Sequence, residues 1–99
     1  MAEFSYDLNV TLDPPSGSPG TTVKATARFS NVVGEIKSVY AMVNAYGYSE
    51  FLPKAGENTY STTIVVPYGA PPGTYDVTFF ARDTQGNRGK GVTVQFTVT

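Results

Sequence analysis

The sequence predicts an all-β sandwich of two antiparallel sheets, and three observations carry that prediction. Apolar and polar residues alternate in about seven separate runs, the period of strands with one face in a core. Clusters of Pro, Gly, Asn and Asp separate these runs at intervals of roughly 8 to 12 residues, the spacing of short strands in sandwiches. No stretch sustains an apolar period of about 3.6 residues over several turns, so no helix of note is expected.

The first run is the cleanest: Phe4, Tyr6, Leu8, Val10 and Leu12 alternate with Ser5, Asp7, Asn9 and Thr11. Asp13 to Gly20 carries three prolines and two glycines and is expected to end the ladder. The second strand points Val23, Ala25, Ala27 and Phe29 inward, and Ser30 to Glu35 reads as a turn. The third, Ile36 to Tyr46, points Val39, Ala41, Val43 and Ala45 inward. Ile36 falls on the wrong parity, so a bulge is expected near Lys37 and Ser38. A short edge segment covers Ser49 to Pro53, since proline cannot donate to a neighbour. Ala55 to Asn58 reads as a turn, followed by a strand with Tyr60, Thr62, Ile64 and Val66 on one face. Pro71-Pro72-Gly73 then launches a strand with Tyr75, Val77, Phe79 and Ala81 inward. Asp83 to Asn87 turns the chain into a last strand carrying Val92, Val94, Phe96 and Val98, with Gly89 and Gly91 at its start.

A chain of 99 residues is expected to form one domain, residues 1–99, with about 65% of its surface buried in a single core. Met1-Ala2-Glu3 reads as a cloning-derived lead-in, and the whole as a piece of a longer protein. Seven basic against eight acidic side chains leave a net charge of −1, which provides no field to recruit nucleic acid or anionic lipid. No apolar run approaches the roughly 18 residues of a membrane-spanning helix. Cysteine and histidine are both absent, which removes thiol chemistry and the commonest general base.

Enzymatic function is argued against on the same grounds. The carboxylates Asp7, Asp13, Glu35, Glu50, Glu57 and Asp76 are scattered rather than paired, and serine and threonine have no activating partner. The glycine cluster from Gly86 to Gly91 lacks the strand–loop–helix order of a phosphate cradle. No catalytic, cofactor-binding or metal residues are assigned, and no cofactor is expected.

Four residues are assigned structural roles. Tyr75 stands where a tyrosine corner would return its hydroxyl to upstream backbone. Asp83, Gly86 and Asn87 form a turn whose side chains would bond local backbone amides; calcium needs six to eight oxygens, more than this loop supplies. The feature that exceeds the needs of a scaffold is an outward aromatic set. Tyr40, Met42, Tyr46 and Tyr48 on or beside the third strand, with Phe80 on its expected neighbour, form the candidate partner-binding face.

The run Pro72-Gly73-Thr74-Tyr75-Asp76-Val77-Thr78-Phe79, continuing through Ala81-Arg82-Asp83-Thr84-Gln85-Gly86-Asn87, resembles the penultimate strand and last hairpin of bacterial and archaeal immunoglobulin-like, fibronectin-III-like modules. Tyr60 to Pro67 is similar to the strand before it. The resemblance implies an Ig-like sandwich serving as a non-catalytic spacer or adhesion module in an extracellular or cell-surface prokaryotic protein. The partners so implied are neighbouring domains of the parent chain. The alternative is an accessory module, beside a secreted hydrolase for example, that binds carbohydrate or another surface protein through the aromatic face. The chain departs from antibody-type domains in having neither the cysteine pair nor a tryptophan.

Overall fold

The structure, a computed structural model, describes residues 4–44 and 48–99. In chain order its strands are β1 (Ser5–Asp13), β2 (Ser16–Gly17), β3 (Thr22–Val33), β4 (Ile36–Val43), β5 (Tyr48–Phe51), β6 (Lys54–Gly56), β7 (Thr59–Val65), β8 (Gly73–Asp83) and β9 (Val92–Val98). They form a four-stranded sheet in the order β1-β3-β7-β6 and a five-stranded sheet in the order β2-β9-β8-β4-β5. All pairings are antiparallel except β2 with β9. The fold is the all-β Ig-like sandwich that the alternating runs predict, and no helix occurs among the described residues.

Every second side chain of the long strands builds the core. Val23, Ala25, Ala27 and Phe29 of β3 face Val39 and Ala41 of β4, with Val77, Phe79 and Ala81 of β8 and Phe96 and Val98 of β9 completing the layer. Fully burying such a side chain contributes about 1.5–3 kcal/mol, so this layer dominates the stability of the fold. The register of β4 on β8 shifts between Ile36 and Ser38, where the broken parity of Ile36 places a bulge.

Four sequence expectations are corrected by the pairing. Nine strands among the described residues replace about seven, because Ser16–Gly17 and Lys54–Gly56 add two short ones. The prolines between Asp13 and Gly20 do not end pairing. They carry the chain from one sheet to the other, where Ser16 and Gly17 lie parallel to Thr97 and Val98. The expected turn from Ser30 to Glu35 shrinks to its last two residues, because β3 runs on to Val33. A register shift between Ser5 and Asp7 and the left-handed Asn31 (φ 50°) absorb the mismatch, and Asn31 Nδ2 donates to Asp7 at 2.7 Å. Finally, Gly89 and Gly91 precede β9, which begins at Val92.

Another sheet-to-sheet transfer lies on the opposite side of the sandwich. Leu52 follows β5, is fully buried, and donates its amide to Val39 O at 2.9 Å. One residue later Pro53 O accepts from Ser61 N of β7 at 3.1 Å, so the chain changes sheets between neighbouring residues. The ladders also fix where the chain ends lie. Ser5 pairs with Val33 near Ile36 and Asp83, whereas Val98 pairs with Gly73 and Gly17. Phe4 and Thr99 therefore stand at opposite poles of a body measuring 46 × 24 × 16 Å.

Candidate functional site

The outer face of the five-stranded sheet carries a row of rings. In the β4–β5 hairpin Tyr40 stands opposite Phe51, and across β4–β8 it stands opposite Phe80. Direct cross-strand partners approach closely enough for their side chains to pack. Tyr40 meets Phe51 edge-on at 5.9 Å between centroids and Phe80 at 5.6 Å with a 31° tilt. The Arg88 guanidinium lies over the Phe80 ring, 3.9 Å from its centroid, with Arg82 at 5.7 Å.

This arrangement corrects the expected exposure of Phe80. Its outward direction is as read from the alternation, but only 7% of it is accessible, because Tyr40 and Arg88 cover it. Tyr40 is half-buried, and the open ring of the row is Phe51, at 53% exposure. Met42 lies on the same strand face, half-buried, opposite Ser49 and Thr78. Tyr46 and the side chain of Tyr48 lie outside the described residues. Sequence reasoning missed Phe51 and Arg88. Phe51 was recoverable, since residues equidistant from a hairpin's centre pair across it; Arg88 sits in a glycine-rich stretch with no alternation to read. What the row offers is an apolar strip bordered by guanidinium groups, a surface suited to stacking against another flat group.

The remaining assigned residues secure two turns of the fold. Tyr75 Oη donates to Pro71 O at 2.6 Å, which closes the entry to β8. In the turn after β8, Asp83 is buried and accepts from Gln85 N at 2.9 Å, Asn87 N at 2.7 Å and Asn87 Nδ2 at 3.0 Å. Burial works to raise the Asp83 carboxyl, but these hydrogen bonds outweigh it and hold the group below the usual carboxylate range. Gly86 supplies the positive φ of 83° that this turn requires.

A further tyrosine does work that alternation alone does not reveal. Tyr6 of β1 reaches across the core, where its hydroxyl accepts from Ala81 N at 3.1 Å and donates to Lys90 O at 2.8 Å. Gly89 N meanwhile donates to Ala81 O at 2.9 Å. The tyrosine hydroxyl thus takes the place of a missing backbone rung where the hairpin strands part. Gly89 is required there, because a Cβ would overlap the Tyr6 ring. The ring itself joins an edge-to-face series from Phe4 through Phe29 to Tyr60, with centroids 4.9–5.7 Å apart. Burial pushes the Tyr6 hydroxyl up, against the opposing pull of the Ala81 amide and the Arg88 charge.

These features define an immunoglobulin-like sandwich with a ring-bearing outer sheet. The chain matches no known family profile and no curated protein sequence. Among solved structures it is similar to the PKD domain of an M14-like peptidase from Thermoplasmatales archaeon SCGC AB-540-F20. That likeness has a TM-score of 0.70 and 25% identity, and it covers 92% of this chain and 91% of that one. A Niemann-Pick type C2 protein from the Japanese carpenter ant shares the fold alone, with a TM-score of 0.62 and 12% identity over 100% of this chain and 96% of that one.

Proposed function

We propose that this chain is a non-catalytic Ig-like module of a multidomain protein that works outside the cell or at its surface, as a spacer or adhesion bead between neighbouring domains. The observation that carries this reading is the likeness, over nine-tenths of both chains, to a domain attached to a peptidase. The polar separation of Phe4 and Thr99 suits it, because a linked bead receives its neighbours at opposite ends. The mechanism is mechanical: a sandwich with a continuous core holds what flanks it at a set distance.

The test places the chain between a donor and an acceptor fluorophore domain and measures their separation distribution. A narrow distribution is expected, displaced by about the long dimension of the sandwich. A flexible Gly/Ser linker of equal residue number would give a broad one instead. A broad distribution from the folded chain, or turnover of peptide or glycoside substrates, would sink the proposal.

The row Phe51–Tyr40–Phe80 favours a second reading, an accessory module that binds carbohydrate or another surface protein. A glycan array combined with a chemical-shift titration distinguishes the two. Binding that Tyr40→Ala and Phe51→Ala abolish without loss of fold selects the second reading. Equal behaviour of wild type and variants on every probe selects the first.

A further inference from the structure

Large and small side chains are unevenly distributed along the core. The pole near Phe4 is filled by the series Phe4, Tyr6, Phe29 and Tyr60. At the pole near Thr99, Val23 and Val66 stand on one side and Val77 and Val98 on the other, with the larger Leu12, Ile64, Tyr75 and Phe96 around them. Valines facing one another across two sheets leave the gap unfilled. A cavity of about 480 Å³ opens there beneath the crossing from Pro67 to Ala70.

The lining is apolar throughout. No charged residue contributes to it, and among its described residues Tyr75 brings the single side-chain hydroxyl, which donates to Pro71 O at 2.6 Å. Water in a cavity needs about two to four polar partners, which these walls do not offer. The volume lies within the range of small-molecule sites, roughly 300–1,000 Å³, and is about three times that of an apolar cavity that holds benzene. Val65 of β7, itself part of the lining, is 54% exposed, so apolar surface meets solvent at the rim.

We propose that this inter-sheet cavity at the Thr99 pole is a binding site for a small neutral apolar molecule, of the class of a single hydrocarbon chain. The lining excludes an ionised head group from the interior, because a charge there would be desolvated without a partner. The site is distinct from the ring row, which lies on the outer face of the five-stranded sheet. It depends on no assumption about what flanks the module.

The test is a titration of methyl-labelled protein with decan-1-ol and, separately, with the decanoate anion, followed by methyl chemical shifts. The alcohol is expected to bind saturably with one ligand per chain and a Kd of roughly 0.1 mM, shifting the Val and Ile methyls of the lining. The decanoate anion is expected to bind about tenfold more weakly. Ala70→Leu extends a half-buried methyl into the space and is expected to weaken binding by about tenfold while the remaining spectrum is preserved. Val66→Phe fills the cavity from the other side and serves if Ala70→Leu disturbs the crossing. Tyr40→Ala is expected to leave binding unchanged. No saturable shift up to the solubility of the alcohol overturns the proposal. So do shifts centred on Tyr40 and Phe51, equal binding of decanoate, or folded filling variants that bind as the wild type does.

Discussion

Removing one oxygen atom, in Tyr6→Phe, tests the reading of the core most directly. The ring stays, and with it the edge-to-face contacts to Phe4 at 5.4 Å and Phe29 at 4.9 Å. What goes is the hydroxyl bridge between Ala81 N and Lys90 O. Lys90 is exposed, so water can replace the bond to its carbonyl, and that loss costs about 0.5–1.5 kcal/mol. Ala81 is fully buried, so its amide loses its partner without access to solvent, a cost of about 1–3 kcal/mol. The expected destabilisation is therefore about 1.5–4.5 kcal/mol, a large share of the roughly 5–15 kcal/mol that holds a domain of this size together. Near the midpoint it corresponds to a Tm lower by at least roughly 6 °C. Urea unfolding followed by circular dichroism measures the change, and hydrogen exchange at the Ala81 amide localises it. A change below about 0.5 kcal/mol with Ala81 protection intact would show that the hydroxyl is not a rung of the hairpin. The same variant alters the alkaline limb of stability. The folded-state pKa of Tyr6 lies above its unfolded value of about 10, so its contribution is complete below that pH and declines as pH rises through the folded value. Tyr6→Phe removes that part of the decline.

Three further outcomes follow from the same geometry. Asp83→Asn destabilises the fold near neutral pH. Because the folded pKa of Asp83 is depressed, the difference from wild type persists above about pH 4 and closes as pH falls through the folded value, as melts across an acid series will show. Gly89→Ala drives a methyl into the Tyr6 ring and costs about 1–3 kcal/mol; in a Tyr6→Ala background the same change costs much less, a non-additivity that a double-mutant cycle reads directly. Leu52→Ala leaves a hole at a fully buried position and lowers stability by about 2–5 kcal/mol in denaturant unfolding, although it lies in a short edge segment.

The long strands were legible because each buries one face only, so burial writes a period of two into the sequence. Tyr75, Val77, Phe79 and Ala81 could be assigned to the core from parity alone, and the displaced Ile36 marked its own bulge. Short elements carry no such record. Ser16–Gly17 is two residues long, and its pairing with β9 depends on where β9 runs, a non-local fact. Exposure escaped for a related reason. Alternation says which way Phe80 points, but not that a guanidinium eight residues later folds back over it. The bridging role of Tyr6 joins residues 84 positions apart in the chain, beyond the reach of any local pattern.

Two of the crossings between sheets, those on opposite flanks of the sandwich, bear on how the molecule responds to tension. The segment after β1 leaves its sheet to lie parallel to β9, and the segment after β5 leaves the other sheet to pair with β7. Each open flank is thereby laced by a strand anchored on both layers. Tension applied along the line from Phe4 to Thr99 runs nearly along the strands, so the bonds of β1 to β3 and of β2 to β9 are loaded sideways and together. Such loading opposes peeling, which breaks these bonds one at a time, because the pull does not lift an edge strand away from its neighbour.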